Sequence, residues 1–560
     1  EGGGGGGIVL PARGSSASSA PRVSPPTHVF AMPVPVASVA ASAKADENDA
    51  VVLVVRDLAS VASQYPGVAA AAAVDAKFAS RVSVVPEAGV AGGRVIVSCT
   101  GPLTRDFDDP RCISTAAKAG ITAAISAGSV RPVVHVAADL SGLEGEYGRA
   151  TLLAAAGAFD GTYATLQTRE ARGEATAEPI ETLSFFFEGV GEAEAADAVA
   201  KATAVELGRR VARDICSGDP ERMAPPKAAE YVEAAFAGLP NVTVTVEGDL
   251  PTIEKDYPLL ASVCRASRKV PRHHPRVVTV TYTPAGGATK STTIVGKGVT
   301  YDTGGADIKA GGIMAGMKRD KGGAAAAAGF LRTVAELQPE GGSYTALLGF
   351  VRNSVGTECY VGDEIITGHA GRSVLVVNTD AEGRMVMADL LSVARKNATE
   401  AVAAGTLPAD AFHLLTCATL TGHAVVAMGT YPIAIDNAVA ASRGATGTAR
   451  AIQAAAHVVG DPFEVSTLRP EDYAFVASKH PSYDVLQCNT APSSRTPRGH
   501  QFPMAFLVMA SGLSDHGRAS DVPLAYTHLD IAGAASRGDV ASGYETGSPV
   551  LGLAAHFLGI

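Results

Sequence analysis

The hydrophobic positions of this chain alternate between two textures. From Ala50 onward, β-branched runs at Val51–Arg56, Arg94–Ser98 and Arg131–Ala138 alternate with alanine-rich stretches such as Ser114–Ala127. Short apolar runs bounded by turn residues predict buried strands, and the alanine stretches predict helices, so the pattern is α/β alternation. Ser184–Phe187 adds one further strand. From Glu192 to Ile215 the period lengthens, with Ala200, Ala204, Leu207, Val211 and Ile215 on one helical face, until Cys216–Pro220 and Pro225-Pro226 break it. Beyond it, Val277–Tyr282, Thr292–Val295, Tyr344–Val351, Val374–Val377 and Ala411–Cys417 read as strands, with helices at Gly322–Leu337 and Arg384–Arg395 between them. The expectation is an α/β protein of two domains. A smaller N-terminal α/β domain spans 46–190, a connecting helix and linker 191–225, and a larger C-terminal domain 226–560. The larger domain would have a central mixed sheet flanked by helices, where ligands collect in the loops beyond strand ends.

The chain has 560 residues, 47% apolar and 18% charged, enough for two cores. Its net charge of −10, with no basic stripe, argues against a nucleic-acid partner. No apolar run has the length and purity of a membrane span, so no membrane partner is expected. The seven cysteines are widely spaced, without a CxxC or Cys/His cluster, which argues for a reducing compartment and against a thiolate zinc site. Residues 1–45 are rich in Ser, Ala, Pro and Gly, with no acidic residue between Glu1 and Asp46. They read as a disordered leader: either an organelle transit peptide, placing the protein in a plastid or mitochondrion, or sequence ahead of a start at Met32, leaving it cytoplasmic.

Candidate chemistry concentrates in two glycine-rich stretches. Asn378-Thr-Asp-Ala-Glu-Gly-Arg384 sets Asp380 and Glu382 two residues apart in a turn, where both carboxylates can grip one cation. Upstream, Gly296-Lys-Gly-Val-Thr-Tyr-Asp-Thr-Gly-Gly305, Asp307-Ile-Lys309 and Met317-Lys-Arg-Asp-Lys-Gly-Gly323 offer Lys297, Asp302, Lys309 and Asp320. Each has a blander reading. Asp320 could cap the helix that follows, Asp302 could sit in a turn, and Lys297 could belong to a phosphate loop, although the Walker spacing is absent.

Together the two blocks resemble the leucyl aminopeptidase (M17) family, which pairs G-K-G-x-T-[FY]-D-[ST]-G-G with N-T-D-A-E-G-R. Tyr301–Gly305 and Met317–Asp320 are worded like its aminopeptidase-like branch. Ala418-Thr-Leu-Thr-Gly422 and His528-Leu-Asp-Ile-Ala-Gly533 extend the resemblance over roughly 195–560. It implies a metal-dependent aminopeptidase acting on peptides as a homohexamer, with two divalent ions, zinc or manganese, per subunit. Asp302 and Glu382 would bridge the ions, Asp380 would complete one site, and Lys297 with Asp320 the other. Lys309 would polarise the scissile carbonyl and Arg384 would hold a bicarbonate. Met314, Thr419, Gly422, Ala532 and Ala535 would line a pocket for a Leu-like first residue. A lysine ligates only when neutral, so Lys297 should need a strongly depressed pKa. Ala310, His423, Ala535 and Thr357–Val361 depart from the family wording, and all bear on specificity or rate rather than on the reaction. The alternatives are a structural or catalytically weak relative, a narrow dipeptidase, or a nucleotide-binding α/β protein.

Overall fold

The computed structural model describes residues 34–43, 47–173 and 178–560. The six strands of the first sheet are β1 (Val36–Val39), β2 (Ala50–Val55), β3 (Ser83–Pro86), β4 (Arg94–Cys99), β5 (Pro132–Val136) and β6 (Thr182–Phe187). They lie in the order β1-β6-β5-β2-β4-β3, all parallel except β3 against β4. The central strand β2 is Ala-Val-Val-Leu-Val-Val, buried throughout, because helices and loops cover both faces of a parallel sheet. Residues 36–39, expected within the leader, instead form an edge strand registered on Thr182–Phe185. Four residues of mostly apolar character suffice there, since the neighbouring strand supplies the unpaired backbone groups.

The connecting helix runs from Glu192 to Ser217. Its N-terminal half buries Ala195, Val199, Ala202 and Val205 in the first domain's core, and its C-terminal end buries Val211 and Ile215 in the second. The single face expected through Ala200 and Leu207 is therefore replaced by a stripe that changes partner midway. Ala200 is exposed. The Pro225-Pro226 pair, expected to mark linker, opens the next helix, Pro225–Phe236, where proline suits the first turn.

The second sheet has eight strands. Four are β7 (Val242–Glu247), β8 (Arg276–Tyr282), β9 (Ala288–Asp302) and β10 (Gly341–Asn353). From edge to edge the order is Glu464–Thr467, Ile433–Asp436, Ala525–Asp530, Phe412–Ala418, β9, β10, β8, β7. The four central strands are mutually parallel and antiparallel pairings join them to the outer strands, so the sheet is mixed as expected. The helices Gly322–Leu337 and Glu382–Ala403 cover opposite faces, the first in one hydrophobic cluster and the second in the other. The run expected as a main-sheet strand at Val374–Val377 lies elsewhere. Ser373–Leu375 pairs with Ile365–Thr367 and Val485–Leu486 in a separate three-stranded sheet that carries the turn at Asp380.

Candidate metal centre

The site forms where the parallel strands end, and a backbone irregularity builds it. Lys297 and Asp302 lie five apart on β9, so strict alternation would point them to opposite faces. Between Val299 and Asp302 the register on β10 slips, three residues of β9 facing two of β10, from Val351 to Asn353. That bulge restores parity and brings both side chains to one face. Asn353, buried, then donates to Asp302 Oδ1 at 2.8 Å, and the Gly304 N–H donates to the same oxygen at 2.8 Å.

The second carboxylate pair is held by its turn. Gln487 Oε1 accepts from the backbone N–H groups of Val377 and Asn378, its amide donates to the Ala381 carbonyl, and the Tyr360 hydroxyl donates to the Thr379 carbonyl. Glu382 opens the helix Glu382–Ala403, where the positive end of the helix dipole favours an acid. A Cβ at Gly383 would lie 2.5 Å from the Lys297 side chain, so any larger residue there would push that lysine out of its place. Asp320 sits in a short 3-10 turn, Met317–Lys321, and does not cap the helix that follows; that helix has no side-chain cap. Its carboxylate instead meets Lys297 Nζ at 2.7 Å and accepts from the Thr419 hydroxyl at 3.0 Å.

Six charged groups meet here. Lys297 Nζ lies 2.8 Å from Glu382 Oε1, and Lys309 Nζ bridges Asp302 Oδ2 at 2.9 Å and Asp380. Ligand oxygens of Asp302, Asp320 and Glu382 lie within 4.8 Å of one another. Burial and the neighbouring Glu382 raise the Asp302 carboxyl to about 7. Burial pushes Asp320 well above the carboxylate range against the pull of Lys297, and burial with Glu382 raises Asp380. Burial acts on Glu382 in the same sense, but Lys297 and Lys309 outweigh it and lower its pKa. Burial alone would lower the Lys297 ammonium's pKa, yet Asp320, Glu382 and Asp302 override it and hold the value above normal. That is the reverse of the depression ligation demands, which has to come from added cationic charge.

The donor set fits divalent cations. Glu382 Oε2 and Asp320 Oδ2 are buried acceptors without a hydrogen-bond partner, and four carboxylates face two lysines. Orphaned acceptors at this density are costly unless a cation satisfies them. Arg384 is the converse. It is buried, stacks over Phe502 at 5.0 Å, donates to the Gln487 carbonyl at 2.9 Å, and its Nε has no partner.

All seven charged residues singled out from sequence line one cavity of about 460 Å³, together with Thr419, Gly422, Ala532 and Ala535. Met314 does not line it; its carbonyl accepts from the Tyr301 hydroxyl, and Met317 forms the wall instead. Gly316, at positive φ, redirects the chain between the two methionines. Sequence reasoning gave no role to Asn353 and Gln487, which lie outside the motifs, and touched Tyr360 only as part of the Thr357–Val361 departure from the family wording.

A charge-imbalanced carboxylate cluster at the strand ends of a two-domain α/β chain is the arrangement of a divalent-metal hydrolase. The model of the cytosol aminopeptidase family catalytic domain matches residues 210–554. A Caenorhabditis elegans protein, W07G4.4, that carries an aminopeptidase name is 40% identical over 452 residues, covering 80% of this chain and 81% of its own. A probable cytosol aminopeptidase of Leifsonia xyli is 33% identical over 381 residues, covering 68% and 69%. Solved structures of the bottromycin maturation enzyme BotP share the fold. The one in complex with Mn has a TM-score of 0.68 and 22% identity, covering 91% of this chain and 98% of that one. The chain belongs to the cytosol aminopeptidase (M17) family and is a metal-dependent aminopeptidase. No helix of the described residues is long and apolar enough to cross a membrane.

Proposed function

We propose that this aminopeptidase works with two divalent ions and releases apolar, Leu-like residues from the N-termini of peptides. The observation that carries it is the pair of unpartnered carboxylate oxygens within a cluster of four acids, of which Asp302, Asp320 and Glu382 are buried. Asp302 and Glu382, central in that cluster, would be shared between the ions; Asp380 would complete one site, and Asp320 with a neutral Lys297 the other. Zinc and manganese are the ions expected, and BotP was solved with manganese. Bound there, divalent ions supply Lewis acidity and a water-derived nucleophile at neutral pH.

The side chains divide the remaining work. Lys309 keeps its charge between Asp302 and Asp380 and can donate to the oxyanion that develops on the attacked carbonyl. Asp320 can accept from the free α-amine, which an internal peptide bond lacks. Arg384, buried without a carboxylate partner, suits a small anion such as bicarbonate that takes and returns a proton. Ala532, Ala535, Thr419 and Gly422, with Met317, give the first residue a mostly apolar wall. The homohexamer and cytoplasmic setting of the family are proposed for this chain on the family relation alone, and light scattering tests the first. Hydrolysis of a leucine amide reporter, before and after chelation with zinc and manganese added back, tests the activity. Loss on chelation and recovery with metal are expected; turnover indifferent to chelator would overturn the reading.

A further inference from the structure

A second cavity, of about 300 Å³, lies between the two domains. The helices Arg111–Ser126 and Ala150–Thr162 bound it on one side, the connecting helix at Arg209 closes it, and residues 430–432, 459–462 and 537–548 form the other side. Four cationic side chains line it, Arg111, Lys118, Arg209 and Arg537, against the carboxylates of Asp160 and Asp461. Both acids are already engaged. Asp160 meets Lys118 at 2.8 Å and Arg213 at 2.9 Å, while Asp461 accepts from the Ser548 hydroxyl at 2.7 Å and the Gly552 N–H at 3.0 Å. Arg537, half-buried, makes no hydrogen bond and no close ion pair among the described residues, and its charge acts on Asp461 at longer range. Of the other cations, Arg111 pairs with both oxygens of Asp109 and lies over Tyr431 at 5.4 Å, and Lys118 lies over Tyr544 at 4.7 Å.

This cavity and the catalytic one share a two-stranded ribbon, Ser536–Arg537 paired with Tyr544–Glu545. Ser536 and Val540 line the catalytic cavity, whereas Arg537 and Tyr544 line the interdomain one. Arg319, next to Asp320, is tied to the same ribbon through Glu545 at 3.2 Å and the Asp539 carbonyl at 3.5 Å. An anion drawn to Arg537 therefore acts on a strand whose preceding residue faces the substrate.

We propose that the interdomain cavity binds a small multivalent oxyanion, and that its occupancy is felt in the catalytic cavity through this shared ribbon. Planar guanidinium groups recognise phosphate, sulfate and carboxylate oxygens alike. The probes are therefore sulfate, glycerol 2-phosphate and succinate, weak chelators chosen to spare the metal site, each compared with sodium chloride at equal ionic strength. Titration calorimetry on the metal-loaded enzyme should give saturable binding beyond the chloride control. The strongest of the three identifies the oxyanion class. Arg537→Gln should weaken binding about tenfold or more, with kcat/KM in chloride within about twofold of wild type, and Arg537→Lys should recover part of the affinity. Saturating anion should shift KM for the leucine amide in wild type and not in Arg537→Gln. Equal binding by wild type and Arg537→Gln, or saturable binding that leaves KM unmoved, would overturn the proposal. The binding readout stands apart from turnover, so its failure is distinguishable from failure of the metal reading.

Discussion

Two buried charge clusters in this protein look alike in composition and differ in balance. Around the connecting helix, Arg169, Arg209, Arg210 and Arg213, joined by Lys118, face Asp160, Glu178, Glu206 and Asp214, five cations against four acids. Asp214 alone accepts from Arg169, Tyr163 and Tyr231, so its oxygens are filled. At the strand ends, two lysines face four acids and two carboxylate oxygens stay unpartnered. The first cluster has a cation for every acid, leaves Glu178 Oε2 as its unpartnered carboxylate oxygen, and joins two domains. The unbalanced one is stable only with further positive charge, which marks it as a site rather than a strut.

The largest test of that contrast is Asp302→Ala, which should take peptidase activity to background and reduce metal stoichiometry, read by elemental analysis. For the wild type, metal at about 100 times its Kd should add about 2.7 kcal/mol to unfolding stability, and the variant should lose that increment. Retained activity would sink the assignment. Asp214→Asn should do the opposite, costing about 3–5 kcal/mol by removing the buried carboxylate charge that Arg169 meets most closely, while metal stoichiometry stays at the wild-type value. Denaturant melts with metal analysis separate the two patterns. Lys309→Ala should spare metal binding and lower kcat by about 10²–10³-fold, measured on the same reporter. Equal loss of metal would move Lys309 from chemistry to assembly.

A smaller effect concerns His500, which belongs to neither cluster. Burial, with His423 and Arg498 nearby, lowers its imidazole to about 4, and its Nδ1 meets His423 Nδ1 at 2.8 Å. A folded pKa below the unfolded value of about 6.5 means the fold prefers neutral His500. Its contribution is complete above pH 6.5, is lost as pH falls toward 4, and amounts to roughly 2–3 kcal/mol. His500→Gln should flatten the stability curve across that window, as denaturant melts at pH 4, 5.5 and 7 would show.

Much of this was legible in the residues. The β2 run of Ala-Val-Val-Leu-Val-Val, the alternation of runs and alanine helices, and the spacing of Lys297, Asp302, Lys309 and Asp320 carry their own signals, because burial on both faces and glycine-flanked charge leave marks in local sequence. The misses share a cause. Val374–Val377 looks like any buried strand, and periodicity cannot say which sheet receives it. Met314 and Met317 are the same residue type three apart, and only the turn at Gly316 decides which meets the cavity.

Sequence alone determined that this chain folds as α/β, which residues bear charge in the site, and which family wording they follow. Tertiary structure decided that Lys297 and Asp302 share a face, through a bulge that depends on β10, and that Asn353, Tyr360 and Gln487 hold the carboxylates in place. It also decided which buried charges are paid in full by partners and which are left wanting. Local sequence encodes side-chain chemistry and backbone preference. Register, and the count of cations against anions in one buried volume, depend on segments more than fifty residues apart in the chain.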